Sequence, residues 1–153
     1  MGLHLAYTEV NLISTGINSN PMFAGKRPTN LGVQSGRLAP CPGTPNCVCS
    51  DDNDAGHAIA PLTFQSTPAA AIAQLKQIIS GMERTTIVTE SADYLYAEFK
   101  SKLMGFVDDV EFYADAATRT IHVRSASRLG QSDLGVNRQR IDAIRNQFQG
   151  AGV

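Results

Sequence analysis

Four short segments between Thr85 and Ser127 carry strand-like patterns, and no connection between them is long enough for a crossover helix. Parallel neighbours in one sheet need a connection of a dozen or more residues, so these segments are confined to consecutive antiparallel pairing. Thr85, Thr86, Ile87, Val88 and Thr89 favour extended backbone through their β-branched side chains. Leu95, Ala97 and Phe99 alternate with Tyr94, Tyr96, Glu98 and Lys100, giving one apolar face and one polar or amphipathic face. From Phe106 to Tyr113, Val110 and Phe112 share one side while Asp109, Glu111 and Tyr113 share the other. Asp115 to Thr118 turn the chain into Thr120 to Ser127, where Ile121 and Val123 alternate with His122 and Arg124.

Helical patterns flank this meander. Thr67 is a candidate N-cap with Pro68 in the first turn, and Ile72, Leu75, Ile78 or Ile79, and Met82 recur at helical spacing, with Gly81 as a left-handed stop. A second helix is predicted from near Asp133 to Gly135 through about Phe148, with Leu134, Ile141, Ile144 and Phe148 inward and Arg138, Arg140, Asp142 and Arg145 towards solvent. The first 66 residues are rich in turn formers, and only Val10, Leu12 and Ile13 suggest a short helix or strand there. The expected fold is α+β: an antiparallel four-stranded sheet with two helices packed on one face, preceded by a Pro/Gly-rich N-terminal arm. The arm is placed over 1–31 and the domain over 32–150.

The 153 residues are enough for one cooperative core and hardly for two full-sized domains. A formal net charge of -1 offers no global field for nucleic acid, which is an unlikely partner, and no run approaches the roughly 20 apolar residues needed to span a bilayer. Charge is nevertheless segregated: residues 83–118 hold three bases and eight acids, residues 119–153 six arginines and two acids. Opposite signs in adjoining segments suit pairing inside one fold. The first cation is Lys26, so no basic region precedes an apolar core as in a secretory signal. The chain as it stands reads as cytoplasmic, and as envelope-associated if an export segment has been removed.

The segment Leu38-Ala39-Pro40-Cys41-Pro42-Gly43-Thr44-Pro45-Asn46-Cys47-Val48-Cys49-Ser50 is the most unusual in the chain. Together with Phe106 to Phe112, Ile121 to Gly130 and Ser132 to Arg138, it resembles the DUF1499 family over roughly residues 32–148. That family has no characterised biochemical function; some members resemble lipoproteins or carry membrane segments, so the resemblance implies a shared fold and an envelope setting, and transfers no catalytic residue. Cys41 and Cys47 match the family's usual Pro-Cys-Pro-x-x-Pro-Asn-Cys-Val-Ser-Ser block, while Cys49 stands where a serine is usual. The five residues between Cys41 and Cys47 allow a disulfide if the side chains converge, as in an exported protein, while separate reduced structural thiols are the reading favoured for a cytoplasmic one. Cys41, Cys47, Cys49 and His57 are four conceivable zinc ligands, but C-x5-C-x-C-x7-H matches no strong zinc pattern and no metal or other cofactor is favoured.

The sharpest ligand candidate is the bend between the last strand and the last helix. Arg124, Ser127, Arg128, Ser132, Asp133 and Asn137 are the candidate contacts, because unpaired N–H groups at a helix start and a nearby guanidinium attract carboxylate or phosphate. The competing reading is internal tethering, Arg128 to Asp133 and Arg124 to Asp108. No GxxxxGK[ST] arrangement is present. Asp108, Asp109, His122, Tyr94 and Tyr96 are secondary candidates. The two acids divide acid and base roles only if burial separates them, and the tyrosines stack a ligand unless an arm covers them. The function favoured is a noncatalytic module that binds a small anionic ligand or another protein's surface. An enzyme acting on a small acidic metabolite, and a structural zinc or redox module, are the alternatives.

Overall fold

The computed structural model describes residues 23–152, so the element suggested around Val10, Leu12 and Ile13 lies outside the described residues. The order is β1 (Cys47–Cys49), β2 (Leu62–Thr63), α1 (Pro68–Ser80), β3 (Thr85–Glu90), β4 (Tyr94–Lys100), β5 (Val107–Asp115), β6 (Thr120–Ser127) and α2 (Val136–Gly150). The four expected strands form the meander, and two short strands extend it. The sheet runs β1-β6-β5-β4-β3, every pair antiparallel, with β2 also paired to β6. The expected four-stranded sheet is thus one of six strands. The reason is that β6 would otherwise be an open edge, and Cys47–Cys49 and Leu62–Thr63 satisfy its outer backbone groups.

Thr67 caps α1 by accepting from Ala70 N, at 3.2 Å, and the predicted apolar stripe is buried at Ile72, Leu75, Ile78 and Ile79. Gly81 is right-handed, with φ of -82°, so the expected left-handed stop is absent there; the chain reverses at Arg84, where φ is 55°. In α2, Ile141, Ile144 and Phe148 are buried as expected. Leu134 is not: it stands before the helix, 88% exposed, with φ of 53°. Asn137 holds the buried position in its place.

Leu95, Ala97, Phe99, Val110, Phe112, Ala114, Ile121 and Val123 meet the two helix stripes in one apolar core. Strand alternation then sends Tyr94, Tyr96, Glu98, Asp109, Glu111, Tyr113, His122 and Arg124 to the opposite face. That face is closed by the segment preceding β1. Gly32, at φ of +97°, donates its N–H to Glu111 Oε1 at 2.7 Å, and Arg27 pairs with Glu98. Cys41 and Cys47 form a disulfide that fastens the end of this segment to β1. Of the two readings the spacing permits, the structure contains the bond.

Candidate anion-binding site

Strand pairing decides which polar groups meet. Glu98 opposes Asp109, Tyr96 opposes Glu111, and Glu111 opposes Arg124, so acids and bases of three strands form one layer. Beneath the covering segment, Asp109, Glu111 and Arg124 are 1%, 0% and 4% exposed. Ions this deeply buried are stable only when paired or hydrogen-bonded.

Arg128 meets that demand in full. Its Nε and Nη2 donate to Asp109 at 2.9 and 2.8 Å, and Nη2 also reaches Glu98 and the Tyr96 hydroxyl. The Tyr96 hydroxyl donates to Asp109 Oδ1 at 2.6 Å. Hydrogen bonding to Asp109 pushes the Arg128 guanidinium above its usual range. Burial alone would raise Glu98, but hydrogen bonds from Arg27, Arg128 and Tyr96 outweigh it and hold this carboxyl below its ordinary value. Gly25 makes this closure feasible, since a Cβ there would stand 3.0 Å from Arg128 Cβ.

Arg124 is the contrast. Its Nε and Nη1 are buried and make no hydrogen bond among the described residues. The carboxylate it approaches is Glu111, whose Oε2 lies 3.7 Å from Nη1, beyond hydrogen-bond distance. Glu111 directs its other oxygen elsewhere: Oε1 accepts from Gly32 N and the Tyr94 hydroxyl, and Oε2 has no partner among the described residues. Burial pushes the Glu111 carboxyl up, against the opposing pull of Gly32, Tyr94 and Arg124.

A hollow of about 430 Å³ opens over Arg124. Arg124, Arg128, Asp109 and Lys26 supply its charge, while Pro28, Pro40, Pro42, Ala126 and the half-buried Cys41 supply a stiff, largely apolar wall. With Asp109 already engaged by Arg128, the uncommitted charge is positive. Ser127 and Asn30 complete the lining.

The bend expected to hold the anion is divided between the two faces. Arg124, Arg128 and Ser127 come together at the hollow; Asp133 and Asn137 stand on the helix side and satisfy one another. Asp133 accepts from Gly135 N and Asn137 N, both at 2.9 Å, and Ser132 Oγ accepts from Leu134 N. The N–H groups at the start of α2 are therefore spent on a local cap, which corrects their reading as an open anion cradle. Asn137 is wholly buried, donating to Asn46 O, Ser127 Oγ and Asp133 and accepting from Ser125 Oγ at 2.6 Å.

The expected tethers are also re-paired. Asp108 takes Arg140, at 2.6 Å, in place of Arg124, and Arg128 takes Asp109 in place of Asp133. Arg140, expected in solvent, reaches inward over the Phe99 ring to do so. Such pairing favours tethering over proton transfer for both Asp108 and Asp109. His122 Nδ1 lies 2.8 Å from Asp51 and its ring stacks on Tyr113. Tyr94 and Tyr96 anchor Glu111 and Asp109 through hydroxyls whose ionisation is driven up first by burial, so they are struts beneath the covering segment. The zinc reading loses two ligands to the disulfide, and His57 Nδ1 is 3.0 Å from Cys47 O. Cys49 is a buried thiol raised by burial, the environment of an inert cysteine.

Sequence reasoning did not single out Lys26, Pro28, Asn30, Pro40 and Pro42 as site residues. No period links them to the sheet; the only signal is their nearness to the cysteine block.

These features define a class: a small α+β module with an ion-paired sheet face roofed by its own N-terminal segment, and a basic hollow between roof and sheet. The chain belongs to the DUF1499 family, proteins of unknown function, whose family model matches residues 37–148. The matched span includes Arg124, Arg128 and both disulfide cysteines. No curated protein and no solved structure matches the chain.

Proposed function

We propose that this protein is a noncatalytic module that binds a small anionic ligand in the hollow over Arg124. The observation that carries the reading is the buried guanidinium whose Nε and Nη1 lack acceptors among the described residues. A buried donor without an acceptor costs about 1–3 kcal/mol, and more when charged, so a carboxylate or phosphate oxygen that draws the Arg124 side chain towards the hollow recovers free energy. Arg128 shapes the site and is not its anchor, because Asp109 and Glu98 hold its fork. The guanidinium takes any compact oxyanion, sulfate included, and the apolar wall of Pro28, Pro40, Pro42 and Ala126 adds contact for a ligand whose anionic head carries a compact apolar body.

The test is a thermal-shift screen of carboxylates and phosphate esters against the wild type, Arg124→Gln and Arg128→Ala. Stabilisation by acids with an apolar body, lost in Arg124→Gln, is the expected result. Hits that all survive Arg124→Gln would remove the anion site from this face.

A further inference from the structure

Anion capture in this hollow and proton uptake by the carboxylate paired with Arg124 are, we infer, one coupled event. Glu111 and an incoming anion compete for the same Arg124 guanidinium, and Glu111 yields by taking a proton from solvent. The inference rests on the anion reading of the hollow and adds its regulation: the site binds an acid equivalent, anion and proton together.

The geometry supplies the competition. Arg124 lines the hollow, while Glu111, its cross-strand partner on β5, is outside the lining. Arg124 is the cation Glu111 approaches, at 3.7 Å, and Glu111 is wholly buried. An anion seated on Arg124 leaves two negative groups about one positive group in a poorly solvated layer, and like charges in such a site cannot both remain ionised cheaply. The remedy is available at one atom. Glu111 Oε1 is occupied by Gly32 N–H and the Tyr94 hydroxyl, whereas Oε2 has no partner among the described residues and can take the proton.

The groups around Glu111 decide how readily it yields. From β4 it faces Tyr94 and Tyr96, from β5 Asp109, from β6 Arg124 with His122 one position beyond on the same face, and from the covering segment the Gly32 N–H. Burial and the Asp109 charge favour the neutral carboxyl, while Gly32, Tyr94 and Arg124 favour the anion. Drawing Arg124 towards a ligand weakens the last of these. By reciprocity, acid then tightens anion binding by the same factor as the anion tightens proton binding.

His122 also stands on this face, and an effect arising at its imidazole has to be told apart from one arising at Glu111. Its partner is Asp51, so the two origins are separable by substitution.

The experiment is calorimetric titration of the full chain with sodium sulfate, which keeps its charge across the range, in buffers of different ionisation enthalpy from about pH 5 to about pH 9. Uptake approaching one proton per sulfate is expected, with Kd weakening by up to about tenfold per pH unit as pH rises through the Glu111 titration. Glu111→Gln should bind sulfate with no proton uptake and a flat pH profile; His122→Asn should retain the slope. Binding without proton uptake in the wild type, or a slope that persists in Glu111→Gln, overturns the coupling and leaves the anion site standing. If Glu111→Gln does not fold, loss of the slope in His122→Asn overturns it instead. No sulfate binding at any pH overturns the anion reading itself, and the coupling with it.

Discussion

Arg124 and Arg128 sit four residues apart on one strand-end face, yet their environments differ in kind. Arg128 is saturated by Asp109, Glu98 and Tyr96, whereas Arg124 has a loose contact with Glu111 and a hollow before it. Removing one member of a buried pair leaves the other uncompensated, so Asp109→Asn should lower unfolding free energy by about 3 kcal/mol, read from urea midpoints. An unchanged midpoint would mean that the Asp109–Arg128 pair contributes nothing net. Glu98 adds a pH effect. Its folded carboxyl lies below the ordinary value, so its contribution is present above the usual carboxylate range, roughly 4, and is lost as pH falls through the depressed native value. Glu98→Gln should therefore flatten the acid limb of a stability profile. The sequence shows that these residues share a face, because alternation is explicit from Tyr94 to Arg124. It does not show that the face is buried, since Asp109, Glu111 and Arg124 have the pattern of a solvated sheet surface until the covering segment closes over them.

At the scale of elements, legibility follows length. The helix at Pro68–Ser80 and the three long strands declare themselves through cap, period and alternation, whereas β1 and β2, of three and two residues, have no period of their own. Their strand character comes from the edge of β6. The start of α2 falls where the sequence places it, but Leu134 is not on the inward stripe for a local reason: Asp133 caps the helix, which turns Leu134 outward in a left-handed conformation. Burial would raise the Asp133 carboxyl, but donors from Asn137 and Gly135 hold it below its usual range. Asp133→Ala should cost about 1–2 kcal/mol in denaturant stability, the usual range for a lost cap. Sulfate affinity should be unaffected, because Asp133 faces the helices and not the hollow. A large loss of affinity in this variant would return the anion to the helix start.

For the whole molecule, the decisive structure is the roof. The segment before β1 is held by Gly32 to Glu111, Arg27 to Glu98, Leu38 N to Asp51 and the Cys41–Cys47 bond. Its turn-former composition was legible, but its path was not, because backbone-to-carboxylate contacts leave no sequence period. Thiol titration in denaturant should find one reactive cysteine before reduction and three after it. Three before reduction would show that the bond does not form. Cys41→Ser with Cys47→Ser should lower stability by about 2 kcal/mol, the loop-closure value for so short a ring. The central claim, that Arg124 is held buried for an anion, is tested most directly by the arginine Nε–Hε NMR spectrum during a sulfate titration. The resonance that disappears in Arg124→Gln should shift saturably while that of Arg128 moves little. An Arg124 signal that stays still while sulfate perturbs other arginines would contradict the account.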